Sequence, residues 1–251
     1  MASFTHHYDL RTVFDDFLTM SMCAVTQIPG AGKSHYEDLY LETIDRYKTD
    51  KLRFQFPKLF SQLITEMELR TTDSLGNDVL GDYFELNFCR KNSGQFFTPW
   101  PICQFMAKSV CGDGEADEVK RILDPTCGSG RMLVAAAKTM GWRHEYYGID
   151  VDPTCVKMTV LNLFLNGIFH SEVMWSDALD PNDFRISYKL SFLPLGIFRI
   201  EQRESSPLWN MYWSSFKKQQ AAPPVVPALA IKLPSESGEQ HSKTVSQLQL
   251  F

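Results

Sequence analysis

Apolar residues recur at helical spacing through the first third of the chain. In "YDLRTVFDDFLTM" the residues Leu10, Val13, Phe14, Phe17 and Leu18 share one face, the pattern of an amphipathic helix. The same period returns in "HYEDLYLETIDRYK" (35–48) and "FPKLFSQLITEMELRT" (56–71), and a fourth short helical segment reads "DVLGDYFELNF" (78–88). No strand alternation interrupts them, so residues 1–92 are expected to form a helical N-terminal region.

From about residue 95 the pattern changes. "TPWPICQFMAKSV" (98–110) predicts a helix whose prolines fall at its start, where a missing N–H is harmless. Short apolar runs then alternate with helical ones. "VKRIL" leads as a strand into "DPTCGSG", and "RMLVAAAKTM" is a helix. "HEYYGIDVDP" is a strand, "TCVKMTVLNLFLNG" a helix closed by Gly167, and "HSEVMWSDALD" a third strand. "YKLSFLPLGIFRI" (188–200) is expected as a fourth. Strands and helices alternating at this spacing predict a parallel, doubly wound α/β sheet over residues 93–218. Beyond Lys218 proline, small and polar residues dominate, and 219–251 reads as a disordered tail.

Composition narrows the classes. At 251 residues the chain can bury one sizeable core plus an accessory segment. Its 44% hydrophobic and 22% charged residues are ordinary for a globular protein. A net charge of -5 gives no global basic field, which weakens but does not exclude a nucleic-acid surface. No apolar run approaches a membrane span, and Asp9, Asp15 and Asp16 stand where a signal peptide would be apolar. The expected setting is the cytoplasm, with no membrane partner. The six cysteines form no CxxC pair and read as reduced thiols, so no metal site is expected.

"GAGKS" (Gly30–Ser34) resembles the end of a phosphate-binding loop. That loop needs glycine five residues before its second glycine, and Gln27 stands there. A plain interhelical loop is the better reading.

"DPTCGSG" (Asp124–Gly130) is different in kind. Gly128 and Gly130 allow a tight turn and close approach of backbone to a ligand. The turn opens a helix, whose first N–H groups suit an anionic group. Asp124 ends the preceding strand, where α/β sheets bind ligands, and an acid there suits a cationic amine. Asp150 ends the second strand and suits ribose hydroxyls, while Asp177 ends the third and could accept from an adenine amino group. An amine, a ribose and an adenine together point to S-adenosylmethionine rather than NAD. Each acid alone is as readily a helix cap.

"GQFFTPWPICQFMA", "DPTCGSGRMLVAAAK", "YYGIDVDP" and "NLFLNG" resemble the core of the DNA adenine-N6 methyltransferases, especially the modification subunits of type I restriction–modification systems. The resemblance covers roughly residues 75–200. It implies a bacterial, cytoplasmic protein with a Rossmann-like S-adenosylmethionine-dependent methyltransferase core behind a helical N-terminal region. It also implies that Phe97, Thr98 and Pro99 flank the methionine moiety, and that Asp124, Cys127, Gly128 and Gly130 form the cofactor loop. Asp150 matches the ribose-binding acid and Asp177 the adenine-contacting acid. The implied partners are DNA and a specificity or other partner subunit.

The family's catalytic element is Asn-Pro-Pro-aromatic or Asp-Pro-Pro-aromatic after the fourth strand. No such tetrapeptide occurs here; at the expected distance stand Phe192, Leu193, Pro194 and Leu195. Phe192 offers no acceptor for the target amine, and Leu195 cannot stack on a base as an aromatic does. The tail after residue 218 leaves a complete seven-stranded sheet unexpected. A non-catalytic relative that binds cofactor or DNA in an accessory role is therefore the alternative, and a methyltransferase for RNA or protein a third. Finally, "QLQLF" is similar to the peptide that docks bacterial proteins on the replication sliding clamp. Gln247, Leu248, Leu250 and Phe251 would be its contacts, with Gln249 departing from the pattern.

Overall fold

The structure, a computed structural model, describes residues 4, 8–26, 35–70, 78–89, 96–111, 118–180 and 182–221. Five helices come first: α1 (Leu10–Val25), α2 (His35–Ile44), α3 (Asp50–Arg53), α4 (Gln55–Leu69) and α5 (Val79–Phe88). Asp9 caps α1 by accepting from the Thr12 N–H at 2.9 Å, and the expected face buries Val13, Phe14, Phe17 and Leu18. The expected strand–helix alternation follows as α6 (Trp100–Cys111), β1 (Arg121–Asp124), α7 (Arg131–Met140), β2 (Glu145–Asp150), α8 (Pro153–Leu165) and β3 (Ser171–Ser176). The chain continues through β4 (Phe184–Phe192), β5 (Leu195–Ile200) and α9 (Pro207–Ala221).

β1, β2 and β3 are parallel, joined by α7 and α8 in a Rossmann-like β-α-β-α-β unit. The sheet order is β1-β2-β3-β4-β5, so both crossovers run the same way and their helices share one face. Side chains of β2 alternate across the sheet: Tyr146 joins the large core beneath α7 and α8, while Tyr147 and Ile149 pack with Leu208, Tyr212 and Trp213 of α9. The large core runs without a break from Phe14 of α1 through Leu133 and Met158 to Ile197 of β5. The N-terminal helices and the sheet therefore share one interior, tied at its rim by Lys157 to Asp15 (2.7 Å) and Arg11 to Asp152 (3.2 Å).

Two expectations are corrected. The run 188–200 is not a fourth parallel strand: Leu193 and Pro194 form a tight turn, and β4 and β5 pair as an antiparallel hairpin on the outer edge of β3. Proline has no N–H to give a ladder, so the apolar run breaks there. Consequently the described strands form a mixed sheet with no reversal of strand order, and β1 is an edge. The second correction is α9. The buried Glu172 carboxylate of β3 accepts from Ser187 Oγ (2.6 Å), Ser206 Oγ (2.5 Å) and the Leu208 N–H (3.1 Å), pinning the start of this helix to the sheet. The helix reaches Ala221, past the expected boundary at 218; the rest of the tail lies outside the described residues.

Candidate functional site

The carboxyl ends of β1, β2 and β3 carry Asp124, Asp150 and, one residue beyond β3, Asp177. Between β1 and α7 the "DPTCGSG" turn runs through two left-handed glycines, Gly128 at φ +57° and Gly130 at φ +81°. A cavity of about 190 Å³ opens here. Its lining includes Phe97, Thr98, Asp124, Cys127 and Gly128, five of the nine residues anticipated for the cofactor, together with Met106 and Met132.

The two glycines serve different neighbours. A Cβ on Gly128 would come within 2.9 Å of the Phe97 ring, so this glycine lets the 96–99 segment close over the turn. A Cβ on Gly130 would meet Thr159 Cγ2 at 2.9 Å, so this glycine lets α8 pack beneath. The latter requirement is one of packing, beside the ligand approach that the motif suggests. Thr159 Oγ1 also donates to the Gly128 carbonyl at 2.9 Å.

Asp150 is part of the turn's support. Its Oδ2 accepts from the Gly128 N–H at 2.8 Å and its Oδ1 from the Asp152 N–H at 2.9 Å. Each oxygen keeps a further lone pair for a ligand hydroxyl. Asp124 Oδ1 accepts from the Thr126 N–H at 3.1 Å. Burial lifts the Asp124 carboxyl to about 6 and raises that of Asp150 as well, since desolvation penalises the charged form. Burial likewise drives the Cys127 thiol well above its ordinary range, which makes it an inert packing group.

The remaining anticipated residues fall outside the cavity wall. Pro99 opens α6, its carbonyl accepting from Ile102 and Cys103. Asp177 lies along the same sheet edge, with Oδ1 accepting from the Leu179 N–H at 2.9 Å. Phe192, Leu193, Pro194 and Leu195 occupy the opposite edge. Leu190 pairs with Ser171, the first residue of β3, so the hairpin tip projects beyond the amino ends of the parallel strands. Phe192 and Leu193 are exposed there. These four residues do not stand where a catalytic tetrapeptide would meet the cavity. Gly30–Ser34 and the Gln247, Leu248, Leu250 and Phe251 set lie outside the described residues.

Several residues of the site had no signal as such. Arg131, the first residue of α7, is buried and reaches four acceptors: Asp78 Oδ2 (2.7 Å), Asp82 Oδ1 (2.8 Å), Glu85 Oε2 (3.4 Å) and the Thr98 carbonyl (3.2 Å). Glu85 Oε1 in turn accepts from the Phe97 N–H at 3.0 Å. Asn162, inside the "NLFLNG" stretch, donates to Asp78 and to the Ser129 carbonyl. Their positions after the glycine turn and within that stretch were the only available hints.

Comparison with known proteins adds an independent finding. Residues 75–220 match the family model described as N-6 DNA Methylase. The methylase subunit of the type I restriction enzyme MpnII from Mycoplasma pneumoniae is 24% identical over 221 residues, covering 83% of this chain and 40% of that protein. A tRNA (guanine(10)-N2)-dimethyltransferase from Methanothermobacter thermautotrophicus is 33% identical over 124 residues, covering 48% of this chain and 35% of its own. A type I restriction–modification methyltransferase subunit from Streptococcus thermophilus aligns at 26% identity with a TM-score of 0.35, over 53% of this chain and 30% of that one. The chain thus spans well under half the length of these relatives. Among the described residues no helix is long and apolar enough to cross a membrane.

Proposed function

The chain belongs to the N-6 DNA methylase family, and on that premise we propose that the cleft over Asp124–Gly130 binds S-adenosylmethionine for methylation of the N6 amine of adenine in DNA. The observation that carries the reading is the pairing of Asp150 with the Gly128 N–H beside a second half-buried acid, Asp124. One carboxylate thereby fixes the turn while each of its oxygens keeps a lone pair for a ligand hydroxyl.

The residues present fit the cofactor's chemistry. The cavity has room for an amino-acid-sized group, and Ser129, Arg131 and Met132 at the start of α7 line it; the N–H groups of a helix's first turn suit a carboxylate. Asp124 suits the neighbouring amine cation, and Asp150 the ribose diol. Phe97, held over Gly128, excludes water from one side. Asp177 is proposed to accept from the adenine amine at the far end of the same edge. When bound, the cofactor supplies an electrophilic methyl group; the chain's task is to hold it and keep the cleft dry.

A second reading has its own support. The sequence holds no Asn/Asp-Pro-Pro-aromatic run, and the residues at the expected spacing sit on the opposite sheet edge. An accessory role, binding cofactor without transfer, follows if no other group accepts from the target amine. DNA and a specificity subunit are the proposed partners, and "QLQLF" is proposed as a sliding-clamp peptide, to be tested by clamp titration with Leu250→Ala and Phe251→Ala.

Calorimetry with S-adenosylmethionine tests the site: heat with the parent chain and none with Asp150→Ala supports it. No heat with the parent chain overturns it. Methyl transfer to unmethylated DNA then separates the two readings.

A further inference from the structure

Four donors converge on one buried carboxylate contributed by the N-terminal helical region. Asp78, the N-cap of α5, accepts from Gly81 N–H (2.8 Å) and Asn162 Nδ2 (2.7 Å) on Oδ1. Its Oδ2 accepts from Ser129 Oγ (2.5 Å) and Arg131 Nε (2.7 Å). The carboxylate is only 4% exposed, and Ser129 and Asn162 are buried with it. A buried charge is tolerated when its lone pairs are filled in this way, and such charge-assisted bonds are short and directional.

The location of Ser129 gives the cluster its meaning. It is the one residue between Gly128 and Gly130, both left-handed and both without a side chain to anchor them. Its hydroxyl is held by Asp78 and its carbonyl by Asn162, at 2.5 and 2.8 Å. The turn's conformation is thus tethered at its centre from another part of the chain. Asp78 also shares Arg131 with Asp82, Glu85 and the Thr98 carbonyl, which links the turn to the 96–99 segment that roofs the cavity. Space is reserved for this arrangement: a Cβ on Gly81 would lie 2.1 Å from Asp78 Oδ2 and 2.6 Å from Ser129 Oγ.

We propose that Asp78 is a positioning residue for the cofactor turn, acting through Ser129 and Arg131, so that the N-terminal helical region is a working part of the cofactor site. The inference rests on the S-adenosylmethionine reading above. Asp78 touches no ligand; it fixes the spacing between the floor at Gly128 and the roof at Phe97.

The test is calorimetry with S-adenosylmethionine on the full chain, at a temperature well below every unfolding midpoint, for the parent, Ser129→Ala, Asp78→Asn and Asp78→Ala. Leu63→Ala, a buried apolar change in α4 that removes none of the network's hydrogen bonds, is the control for destabilisation alone. A residue that served only stability would leave Kd unchanged when the protein is fully folded. The expected result is a Kd about tenfold or more weaker for Ser129→Ala and Asp78→Ala, a smaller loss for Asp78→Asn, and no change for Leu63→Ala. Ser129→Ala removes only one hydroxyl and keeps the test sound where Asp78→Ala fails to fold. Parent binding with an unaltered Kd in Ser129→Ala overturns this inference alone. Absence of binding by the parent overturns the cofactor reading and this inference with it.

Discussion

The ring of Phe97 lies so close over Gly128 that a Cβ there would sit 2.9 Å from both Cδ1 and Cε1 of the ring. Phe97 is itself stacked on Phe84 of α5, with ring centroids 5.7 Å apart, so it has little freedom to withdraw. Gly128→Ala therefore meets two penalties, the left-handed backbone and the ring. A loss of about 2 kcal/mol or more in stability is expected, with S-adenosylmethionine affinity falling alongside it. Denaturant unfolding and calorimetry check both, and an unchanged midpoint would show that the roof is looser than the structure describes.

The cofactor's affinity should depend on pH through Asp124. Its carboxyl is held at about 6 by burial, so below that pH it is neutral. A cationic amine binds the ionised form, and ligand and proton then compete. Kd should be flat above about pH 7 and weaken toward tenfold per unit below pH 6, as linkage requires. Without ligand the sign reverses. The raised carboxyl favours folding below its unfolded value near 4, and that contribution is lost as pH rises through 6. Asp124→Asn should flatten the stability profile, and calorimetry between pH 5 and pH 8 reads the ligand effect.

Glu172 concerns the fold and not the site. Glu172→Ala strips the buried Ser206 hydroxyl and the Leu208 N–H of their acceptor, leaves the buried Ser187 hydroxyl only its longer bond to the Val173 carbonyl (3.3 Å), and frees the start of α9. A destabilisation of about 2–4 kcal/mol is expected, since buried partners are stranded together. Cofactor affinity well below the midpoint should not move, because Glu172 faces the α9 side of the sheet. A large change in Kd would mean that α9 shapes the cleft.

What could be read in advance follows the range of the interactions involved. The 3.6-residue period placed α1 and α4, and the glycine turn between an apolar run and a helix placed β1 and α7, because these signals are local. The β4–β5 hairpin was missed because "YKLSFLPLGIFRI" is apolar on both sides of Pro194, and a two-residue turn leaves few polar marks. The places of Asp124 and Asp150 at the strand ends were legible in the sequence. Asp78 was not, since its partners Ser129, Arg131 and Asn162 lie 51, 53 and 84 residues away and only folding brings them together. Its Asp-x-x-Gly spacing reads as an ordinary helix cap, and it is one; the second role has no sequence signature.

Restoring the family tetrapeptide at the expected spacing tests the geometry directly. Phe192→Asn, Leu193→Pro and Leu195→Phe together would write Asn-Pro-Pro-Phe into the chain at 192–195. That sequence would sit at the tip of the β4–β5 hairpin, past the residue paired with Ser171. Asp124 and Asp150 lie at the other end of the parallel strands. Five or six residues of strand separate the two edges, roughly 20 Å at about 3.3 Å per residue. An acceptor must reach the target nitrogen at hydrogen-bond distance to direct its lone pair, so a group on the wrong edge contributes nothing to transfer. The triple variant is expected to bind S-adenosylmethionine as the parent does and to methylate DNA no faster. Turnover gained by the triple variant would show that the hairpin reaches the cleft in solution and would overturn the assignment of edges.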